Sequence, residues 1–433
     1  MQVILFVLII GILVFLIIKK VGLQFVFILG SFLFVIFFEK NFLLFFNLIL
    51  STLKNSKTWQ LIGAVLLMLL FNDILRKTER LQLLIASIKE LLKSIKLIVA
   101  FIPALVGFLP MLGGAMISAP LVGEVLNDYN VTNEKKTLIN YWYRHIWEYI
   151  LPLYPGIILA SGLLNIDLSK LILHQIPITL LAMTTGVLFL FDLKDKNPEK
   201  ISEYTKHISK KPRDFDYKLK KKILSKKPKN HYKKLKNETI FNLLVGLLPI
   251  LAVIVAVVVF KINIIIVLTI IITILLITFK KYIPEIYKNF DFKKYLSMFF
   301  IVFGLMLFKD SFIYSGAVNI LPEYLISINV PNIIIIAVIP LIAGLMTGVT
   351  HAEVGISFPI IMPFLVNQSG INMGNVVLAF VAGFAGVLLS PAHVCLAITK
   401  DYFNADSKKL YRLLIPAVSI MLAGAFALYF LYQ

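Results

Sequence analysis

The sequence has little charge and only one cysteine. Just 15% of its 433 residues are charged, against about 25% in soluble domains, so a soluble multidomain protein is excluded. The single cysteine, Cys395, cannot form an intrachain disulfide, which excludes a disulfide-stapled scaffold. The N-terminal MQVILFVLII lacks the basic stretch and the small-residue cleavage site of a signal peptide, so it is interpreted as the first membrane span.

Long apolar runs are abundant. Hydrophobic residues make up 59% of the chain and the mean hydropathy is +0.89, values typical of a polytopic membrane protein. A helix needs about 20 apolar residues to cross the hydrocarbon core of a bilayer. Ten runs are predicted to cross: residues 2–18, 22–38, 57–75, 137–162, 171–191, 240–260, 263–279, 295–312, 375–399 and 410–431.

The net charge of +20 is concentrated in one loop. Residues 194–236 contain 17 Lys or Arg and 5 Asp or Glu, a local charge of +12. Basic loops favour the cytoplasmic side of the membrane, where anionic lipid attracts them. With this loop inside, 36 of the 43 basic residues face the cytoplasm and 5 face outward, which predicts a multi-pass protein of the cytoplasmic membrane with both termini extracellular. No aromatic platform or recognition motif accompanies the lysines, so no nucleic-acid partner is expected.

Two further apolar regions are too interrupted to be simple crossings. Residues 96–128 and 332–366 are each broken near the centre by Gly, Pro and polar residues. Arms of about 13 residues form roughly 20 Å of helix, too short to cross alone. Each region is predicted to be a re-entrant hairpin whose tip lines a cavity, since non-helical backbone at membrane depth must be buried in protein or reached by water.

An internal repeat relates the two halves of the chain. Ser118 and Pro152 recur 239 residues later as Ser357 and Pro391, and the same shift carries the predicted crossings onto one another. Each copy has five crossings and one hairpin, and an odd number of crossings forces the second copy to insert upside down. The predicted fold is an all-α polytopic membrane protein with two inverted-topology repeats, the architecture of secondary transporters. The predicted divisions are repeat 1 (1–193), the basic loop (194–236) and repeat 2 (237–433).

Four segments carry a resemblance to a known family. They are PMLGGAMISAPLVGE from Pro110, LPLYPG from Leu151, AGLMTGVTHAEVGISFPIIMP from Ala343 and AGFAGVLLSPAHVCLA from Ala382. The whole chain resembles an uncharacterised prokaryotic integral membrane family of the ion transporter superfamily, related to gluconate permeases and to citrate and dicarboxylate symporters. The resemblance implies a scaffold formed by the first three spans of each repeat. It also implies a mobile transport domain, formed by the hairpins and the last two spans, that works as an elevator.

The resemblance does not identify the substrate. Dicarboxylate symporters carry Ser-Asn-Thr motifs at the hairpin tips for carboxylate and sodium. This chain has Ser118-Ala119-Pro120 and Ser357-Phe358-Pro359 at the corresponding places.

The second hairpin holds a polar cluster, Thr347 to Glu353. Ionisable groups inside an apolar region usually mark ion, proton or substrate paths. Glu353 is predicted to hold the coupling proton or cation, His351 to relay a proton or bind an anion, and Thr350 to contact substrate. The alternative is a solvated loop at the external rim. A zinc site is disfavoured, because no HExxH motif or nearby cysteine pair completes it.

The first hairpin tip, Pro110 to Ser118, offers Gly113, Gly114 and Ser118. Glycine lets backbone N–H groups approach a ligand, and helix N-termini carry partial positive charge, so the tip suits a carboxylate. These three residues, and Ser357 at the repeat position of Ser118, are predicted to bind substrate. A plain tight turn is the alternative.

Two crossings are predicted to break at the repeated proline. Proline removes a backbone donor and frees a carbonyl one turn earlier, so residues 151–155 and 390–393 should expose polar backbone beside the hairpin tips. Tyr154 and His393 match under the shift, and together with Ser390 they are predicted to contact substrate or ion, the alternative being a role in packing the kink. Arg144 is predicted either to pair with Glu148, four residues on, or to orient an anion arriving from the cytoplasm.

The sequence thus predicts a secondary active transporter of a small organic anion, a carboxylate, coupled to protons or sodium. The expected partners are this anion, the coupling ion, the lipid bilayer and, in a homodimer, a second copy; no cofactor or metal is expected. One alternative is an intramembrane enzyme using His351, Glu353 and His393. The sequence shows neither the metal motif nor the GxSxG elbow that such an enzyme would need. The other is a passive channel, for which paired inverted hairpins would be needless.

Overall fold

A computed structural model of the chain describes residues 2–19, 21–77, 92, 94–108, 114–127, 129–191, 193, 246–367 and 370–432. The described part of the first half is helical. Its helices are α1 (Gln2–Ile18), α2 (Leu23–Phe34), α3 (Phe42–Lys54), α4 (Ser56–Lys77), α5 (Ile95–Gly107), α6 (Ala115–Val125), α7 (Asn133–His145), α8 (Pro155–Leu164) and α9 (Leu168–Leu188).

The second half follows the same order. Its helices are α10 (Gly246–Val259), α11 (Ile264–Thr278), α12 (Ile283–Lys288), α13 (Phe292–Tyr314), α14 (Ala317–Ser327), α15 (Asn332–Thr347), α16 (Thr350–Ile361), α17 (Met373–Leu389), α18 (Val394–Phe403) and α19 (Ser407–Leu431). Two strands, Val366–Asn367 and Gly370–Ile371, pair antiparallel after α16. Short irregular turns complete the described elements: π-helical Val35–Glu39 and Val255–Val259, and 3₁₀ Lys280–Tyr282 and Met362–Leu365. The predicted basic loop, residues 194–236, lies outside the described residues.

Five of the described helical segments are long and apolar enough to cross a membrane, and they coincide with five predicted crossings. They are α4, α9, α13, α19 and the segment Met373–Phe403, which joins α17 and α18; a sixth arises if α11 and residues 280–288, bent by 87°, form one span. The described helices at the other predicted crossings are shorter, with α1 at 17 residues and α11 at 15. In the part of the chain that the structure describes, helix length therefore supports a multi-pass membrane protein.

Prolines and polar caps break two crossings where the sequence predicts. The predicted crossing 137–162 divides into α7, which ends at His145, and α8, which begins at Pro155, where the missing backbone N–H is not needed. In the second half α17 ends at Leu389 and α18 begins at Val394. The Ser390 hydroxyl accepts a 3.2 Å hydrogen bond from the Ala392 N–H in this break, which replaces a helical partner.

The helix boundaries recur at the predicted offset. Shifting α8 by 239 residues gives 394–403, the bounds of α18, and shifting the start of α9 gives the start of α19. Asn165 and Asn404, also 239 apart, both end their helices in the left-handed conformation, with φ of 53° and 50°. The two halves therefore share helix order and cap chemistry beyond the matched sequence motifs.

Helices α4 and α13, matched by the same shift, run antiparallel. Asp73, near the end of α4, accepts a 2.8 Å hydrogen bond from Lys294 near the start of α13. Asp310, near the end of α13, accepts a 3.0 Å bond from the hydroxyl of Thr52, four residues before α4. Contacts at both ends fix opposite directions for the two helices.

Aromatic rings join α1, α2 and α13 into one packed layer. Phe34 of α2 meets Phe312 of α13 edge to face, with ring centroids 5.0 Å apart, and Phe6 of α1 lies 5.8 Å from Phe34. Apolar side chains on the outer surface, such as Ile4 and Leu43, are 72% and 73% exposed. An apolar exterior around a packed interior suits a bundle surrounded by lipid tails.

The helices of each predicted hairpin pack against each other and against a broken crossing. In the second half α15 packs closely on α17, because glycines replace side chains at the contact. A methyl group on Gly344 would overlap the Gly383 carbonyl oxygen, and one on Gly386 would overlap the carbonyl of Leu341. This backbone contact brings the α15–α16 pair against the break between α17 and α18.

Candidate functional site

The candidate site lies where the two helix breaks meet the hairpin helices. Each break holds a side chain that hydrogen-bonds the backbone of the hairpin in its own half. The Tyr154 hydroxyl donates to the Gly107 carbonyl at 2.5 Å, and His393 Nδ1 lies 2.8 Å from the Gly348 carbonyl. Tyr154 and His393 are the pair that the 239-residue shift matches, so the repeat extends to the contacts of the site.

Arg144 lies at the centre of this site and is buried, with 3% exposure. Its Nη1 donates to Cys395 Sγ at 2.9 Å and lies 3.3 Å from His145 Nε2. His145 Nε2 in turn lies 3.1 Å from His393 Nε2. The last turn of α7, from the first half, thereby meets the first turn of α18, from the second half.

Small residues make room for the guanidinium. A methyl group on Gly114 at the start of α6 would lie 2.5 Å from Arg144 Nη2, so the side chain rests directly on the backbone of the first hairpin. Gly348, at the turn between α15 and α16, has a φ of +63°, which L-residues with a side chain rarely adopt. That turn points the Gly348 carbonyl at His393.

Glu148 joins the first break to the second hairpin. Its Oε2 accepts a 2.9 Å hydrogen bond from the Thr350 hydroxyl at the start of α16, and its Oε1 lies 3.8 Å from His145 Nε2. Glu148 lies beyond the end of α7 at His145, in the turns that follow, so the two residues are not part of one helix. The predicted pairing of Arg144 with Glu148 stays a prediction.

Glu353 lies apart from this cluster, in the first turn of α16, and is fully buried. Its Oε1 accepts a 2.7 Å hydrogen bond from the Ser357 hydroxyl, one turn further along the helix. Its Oε2 has no hydrogen-bond partner among the described residues. The carboxyl group packs on the backbone of Gly383 in α17, where any side chain would overlap it.

The remaining predicted residues occupy less central positions. His351 is half-buried and contributes no hydrogen bond to the cluster among the described residues, so the predicted His351–Glu353 pair does not form one centre. Ser118 is buried one turn into α6, and its hydroxyl lies 3.4 Å from the Gly114 carbonyl. Ser390 donates to the Leu345 carbonyl at 2.6 Å, which joins the second break to α15. Gly113 lies outside the described residues.

Three side chains have the atoms to ligate a metal. His145, His393 and Cys395 place ligand-type atoms within 4.8 Å of one another. The Arg144 guanidinium, however, is in direct contact with two of these atoms. A permanent positive charge at this distance opposes a metal cation, so the donor set does not fit a metal site.

A small cavity adjoins the histidine pair. It is lined by Trp142, His145, Tyr149 and Phe384, among others, and measures about 10 Å³. A space of that size is close to the minimum for one water molecule.

The sequence did not single out His145, Cys395 or the Glu148–Thr350 contact. All three link the first half to the second, across 202 residues or more. The available signal was their position: His145 and Glu148 precede the repeated proline Pro152, and Cys395 follows the break at Pro391.

The apolar helices, the two helix breaks and the buried cluster between them are the features of a multi-pass membrane protein. The crystal structure of the Alcanivorax borkumensis YdaH transporter, described as revealing an unusual topology, matches it with a TM-score of 0.57 and 14% sequence identity. The match covers 95% of this chain and 98% of that one. At this identity the likeness shows the fold.

The chain belongs to the family described as "Protein of unknown function (DUF401)", whose model matches residues 2–203 and 216–431. The match agrees with the predicted membership of an uncharacterised membrane family. The relation to gluconate permeases and citrate symporters stays a prediction. No curated protein matches the sequence significantly.

Proposed function

We propose that this protein is a secondary active transporter of a small organic anion, driven by protons in preference to sodium. The observation that carries the proposal is the buried cluster in which Arg144 from the first half lies among side chains of the second. A guanidinium inside an apolar bundle is suited to hold a carboxylate, and intramembrane charges of this kind accompany substrate paths. The transporter fold supports the same conclusion.

The two halves are proposed to be repeats of opposite orientation, each with five crossings and one re-entrant hairpin. The matched bounds of α8 and α18 and the antiparallel directions of α4 and α13 support this arrangement. Helix α1, with 17 residues, lies at the lower limit for crossing a bilayer. In this arrangement residues 194–236 are cytoplasmic, both termini are extracellular, and the membrane is the cytoplasmic one.

An elevator mechanism fits the packing. The aromatic layer of α1, α2 and α13 forms a scaffold, while the hairpins and the broken crossings hold the polar residues and form the moving part. Substrate is proposed to bind at the breaks, with Arg144, Tyr154, Thr350, Ser390 and His393 nearest. Gly113, Gly114, Ser118 and Ser357 contribute from the hairpins. A homodimer would hold the scaffold fixed. Kinship with gluconate permeases and citrate symporters is a separate part of the proposal.

Glu353 is the proposed coupling residue. Among the described residues, Glu353 has one hydrogen-bonded oxygen and no cation in contact, and a carboxyl group buried in this way is much less costly to hold when it carries a proton. Sodium would need several oxygen ligands, and the Ser357 hydroxyl is the one side-chain oxygen hydrogen-bonded to Glu353 among the described residues. The site therefore favours a proton over sodium.

The test is uptake of radiolabelled gluconate, citrate and succinate into proteoliposomes under an imposed proton or sodium gradient. We expect proton-driven uptake of at least one anion. Arg144→Gln should reduce it about tenfold or more, because a charge-assisted hydrogen bond is lost. Glu353→Gln should abolish the response to the gradient. Arg412→Gln and Glu285→Gln, which change exposed residues of the same types, serve as controls.

Two results would contradict the proposal: no flux of any carboxylate under either gradient, or a Glu353→Gln variant that responds to the gradient like the wild type. An intramembrane enzyme is less consistent with the geometry. It would need His351, Glu353 and His393 in one centre, whereas His393 bonds Gly348 and His145, and Glu353 bonds Ser357. A passive channel would show single-channel currents and no accumulation.

A further inference from the structure

The rings of His145 and His393 meet at their Nε2 atoms. His145 Nδ1 lies 2.6 Å from the Tyr141 carbonyl, and His393 Nδ1 lies 2.8 Å from the Gly348 carbonyl. A carbonyl oxygen only accepts, so each Nδ1 must carry the hydrogen. In the neutral rings each Nε2 is then a bare acceptor, and the two Nε2 atoms are 3.1 Å apart.

Two acceptors at hydrogen-bond distance need one hydrogen between them. A single added proton turns the unfavourable contact into an N–H···N hydrogen bond of ordinary length, without moving either ring. Arg144 Nη1 lies 3.3 Å from His145 Nε2, and its positive charge disfavours an added proton on that nitrogen. The proton therefore resides on His393, whose Nε2 donates to His145.

We propose that His145 and His393 together bind one proton between their Nε2 atoms, and that this proton binds jointly with the transported anion. The second clause rests on the proposed transport of an anion, whereas the first stands on the geometry of the rings. The histidine pair is then a second proton site in addition to Glu353, and it lies at the two helix breaks.

The charges around the pair explain the joint binding. In the neutral state the positive Arg144 is balanced by the negative Glu148, whose Oε1 lies 3.8 Å from His145 Nε2. A proton on the pair leaves this buried site with one positive charge in excess, which is costly in an apolar interior. A bound carboxylate removes the excess. Among the described residues, the other titratable groups around the pair include Tyr141, Tyr149, Tyr154 and Cys395.

Joint binding of the proton and the anion couples the two affinities. If the anion raises the affinity for the proton, the proton must raise the affinity for the anion by the same factor. The proton also strengthens the hydrogen bond from His393 Nδ1 to the Gly348 carbonyl, because the ring becomes cationic. Loading of the site is thereby transmitted to the turn of the second hairpin.

The test is nitrogen NMR of the full chain in lipid nanodiscs, with ¹⁵N-labelled histidine. His145→Gln and His393→Gln assign the two signals, and His174→Gln, which removes a histidine elsewhere, is the matched control. At high pH we expect both rings to carry hydrogen on Nδ1 alone. On acidification both should change at one midpoint, with one proton bound per pair, and His174→Gln should leave this midpoint unchanged.

The link to an anion is tested with acetate as the probe carboxylate. Replacing sodium chloride by sodium acetate at equal ionic strength should raise the proton affinity of the pair about fivefold or more, the usual size of a coupling effect. Arg144→Gln should bind the proton more readily, since a neighbouring positive charge is gone, and should lose most of the acetate effect.

Hydrogen on Nε2 at high pH, two separate midpoints, or one equivalent of Zn²⁺ that is lost in Cys395→Ser would overturn the shared proton. An unchanged midpoint in acetate would overturn the joint binding. A protein that passes both NMR tests yet transports no carboxylate would contradict the proposed function and leave the proton site intact.

Discussion

A buried carboxyl group needs partners for its oxygens, and Glu353 has one among the described residues. That partner is Ser357, the residue that the repeat matches with Ser118. The two serines therefore have equivalent positions in the halves but different tasks. Ser357 supports an ionisable group, while the Ser118 hydroxyl makes a long contact of 3.4 Å with a backbone carbonyl.

This difference predicts different effects of serine-to-alanine substitution. Ser357→Ala leaves both Glu353 oxygens without a side-chain donor and should lower the free energy of unfolding by about 1–3 kcal/mol. Ser118→Ala should cost less than about 0.5 kcal/mol, since the Gly114 carbonyl keeps its helical N–H partners. Thermal unfolding midpoints of the two variants in nanodiscs, at one scan rate, give the comparison. Equal midpoints would contradict the assigned role of Ser357.

At this scale the sequence predicted three members of the cluster at the breaks. Arg144, Tyr154 and His393 could be proposed because Arg144 is a charge within an apolar crossing, and Tyr154 and His393 lie beside the repeated proline. His145 and Cys395 could not be assigned, because their contacts depend on how two segments 248 residues or more apart are brought together. Periodicity and spacing carry no information on such contacts.

At the scale of elements, the contact between α15 and α17 depends on glycine. The helices approach until carbonyl oxygens of one touch glycine backbone of the other, as at Gly386 and Leu341. Close approach through small residues is a main way in which helices pack inside membranes, where the hydrophobic effect does not drive them together.

Gly386→Ala should therefore separate α15 from α17. We expect a loss of about 1–3 kcal/mol in stability, the usual cost of adding a methyl group to a tightly packed interior. Gly11→Ala in α1 is the matched control: nothing lies within 4 Å of the added carbon, and alanine favours helix, so its unfolding midpoint should be equal or higher. Unfolding followed by tryptophan fluorescence distinguishes them. A Gly386→Ala variant as stable as Gly11→Ala would mean that the helices move apart at no cost.

The sequence predicted the element types and the two breaks because proline and glycine act locally. The number of crossings stays a prediction. The apolar run 263–279 corresponds to α11, Ile264–Thr278, after which the chain bends by 87°. Hydropathy reports where a segment prefers lipid and says little about where its helix bends.

At the scale of the whole molecule, an elevator requires one contact surface to slide while others stay fixed. Gly162 of α8 and Leu61 of α4 lie on that proposed sliding surface: a carbon added to Gly162 would be 2.6 Å from the Leu61 side chain. Gly30 of α2 and Leu13 of α1 are packed in a similar way, at 2.9 Å, within the proposed scaffold.

Disulfide cross-links at these two places should have opposite effects. Oxidised Leu61→Cys/Gly162→Cys should lose transport, and reduction should restore it, because the moving part is tied to the scaffold. Oxidised Leu13→Cys/Gly30→Cys should transport like its reduced form. The measurement compares uptake by each variant before and after oxidation, with the extent of cross-linking measured by gel mobility. Undiminished uptake by the first pair when fully cross-linked would rule out sliding at this surface.

The division of the site between the halves also bears on how the protein is made. Arg144 is synthesised 251 residues before Cys395, and Glu148 is synthesised 202 residues before Thr350. At about 5–20 residues per second, the later partners emerge roughly 10–50 seconds after the earlier residues. During that interval the first half holds an arginine and a glutamate whose final environment does not yet exist. The nascent chain must therefore keep α7 accessible to water or to the insertion machinery until α16 and α18 have been synthesised. A first half released from a stalled ribosome would be a target for membrane quality control.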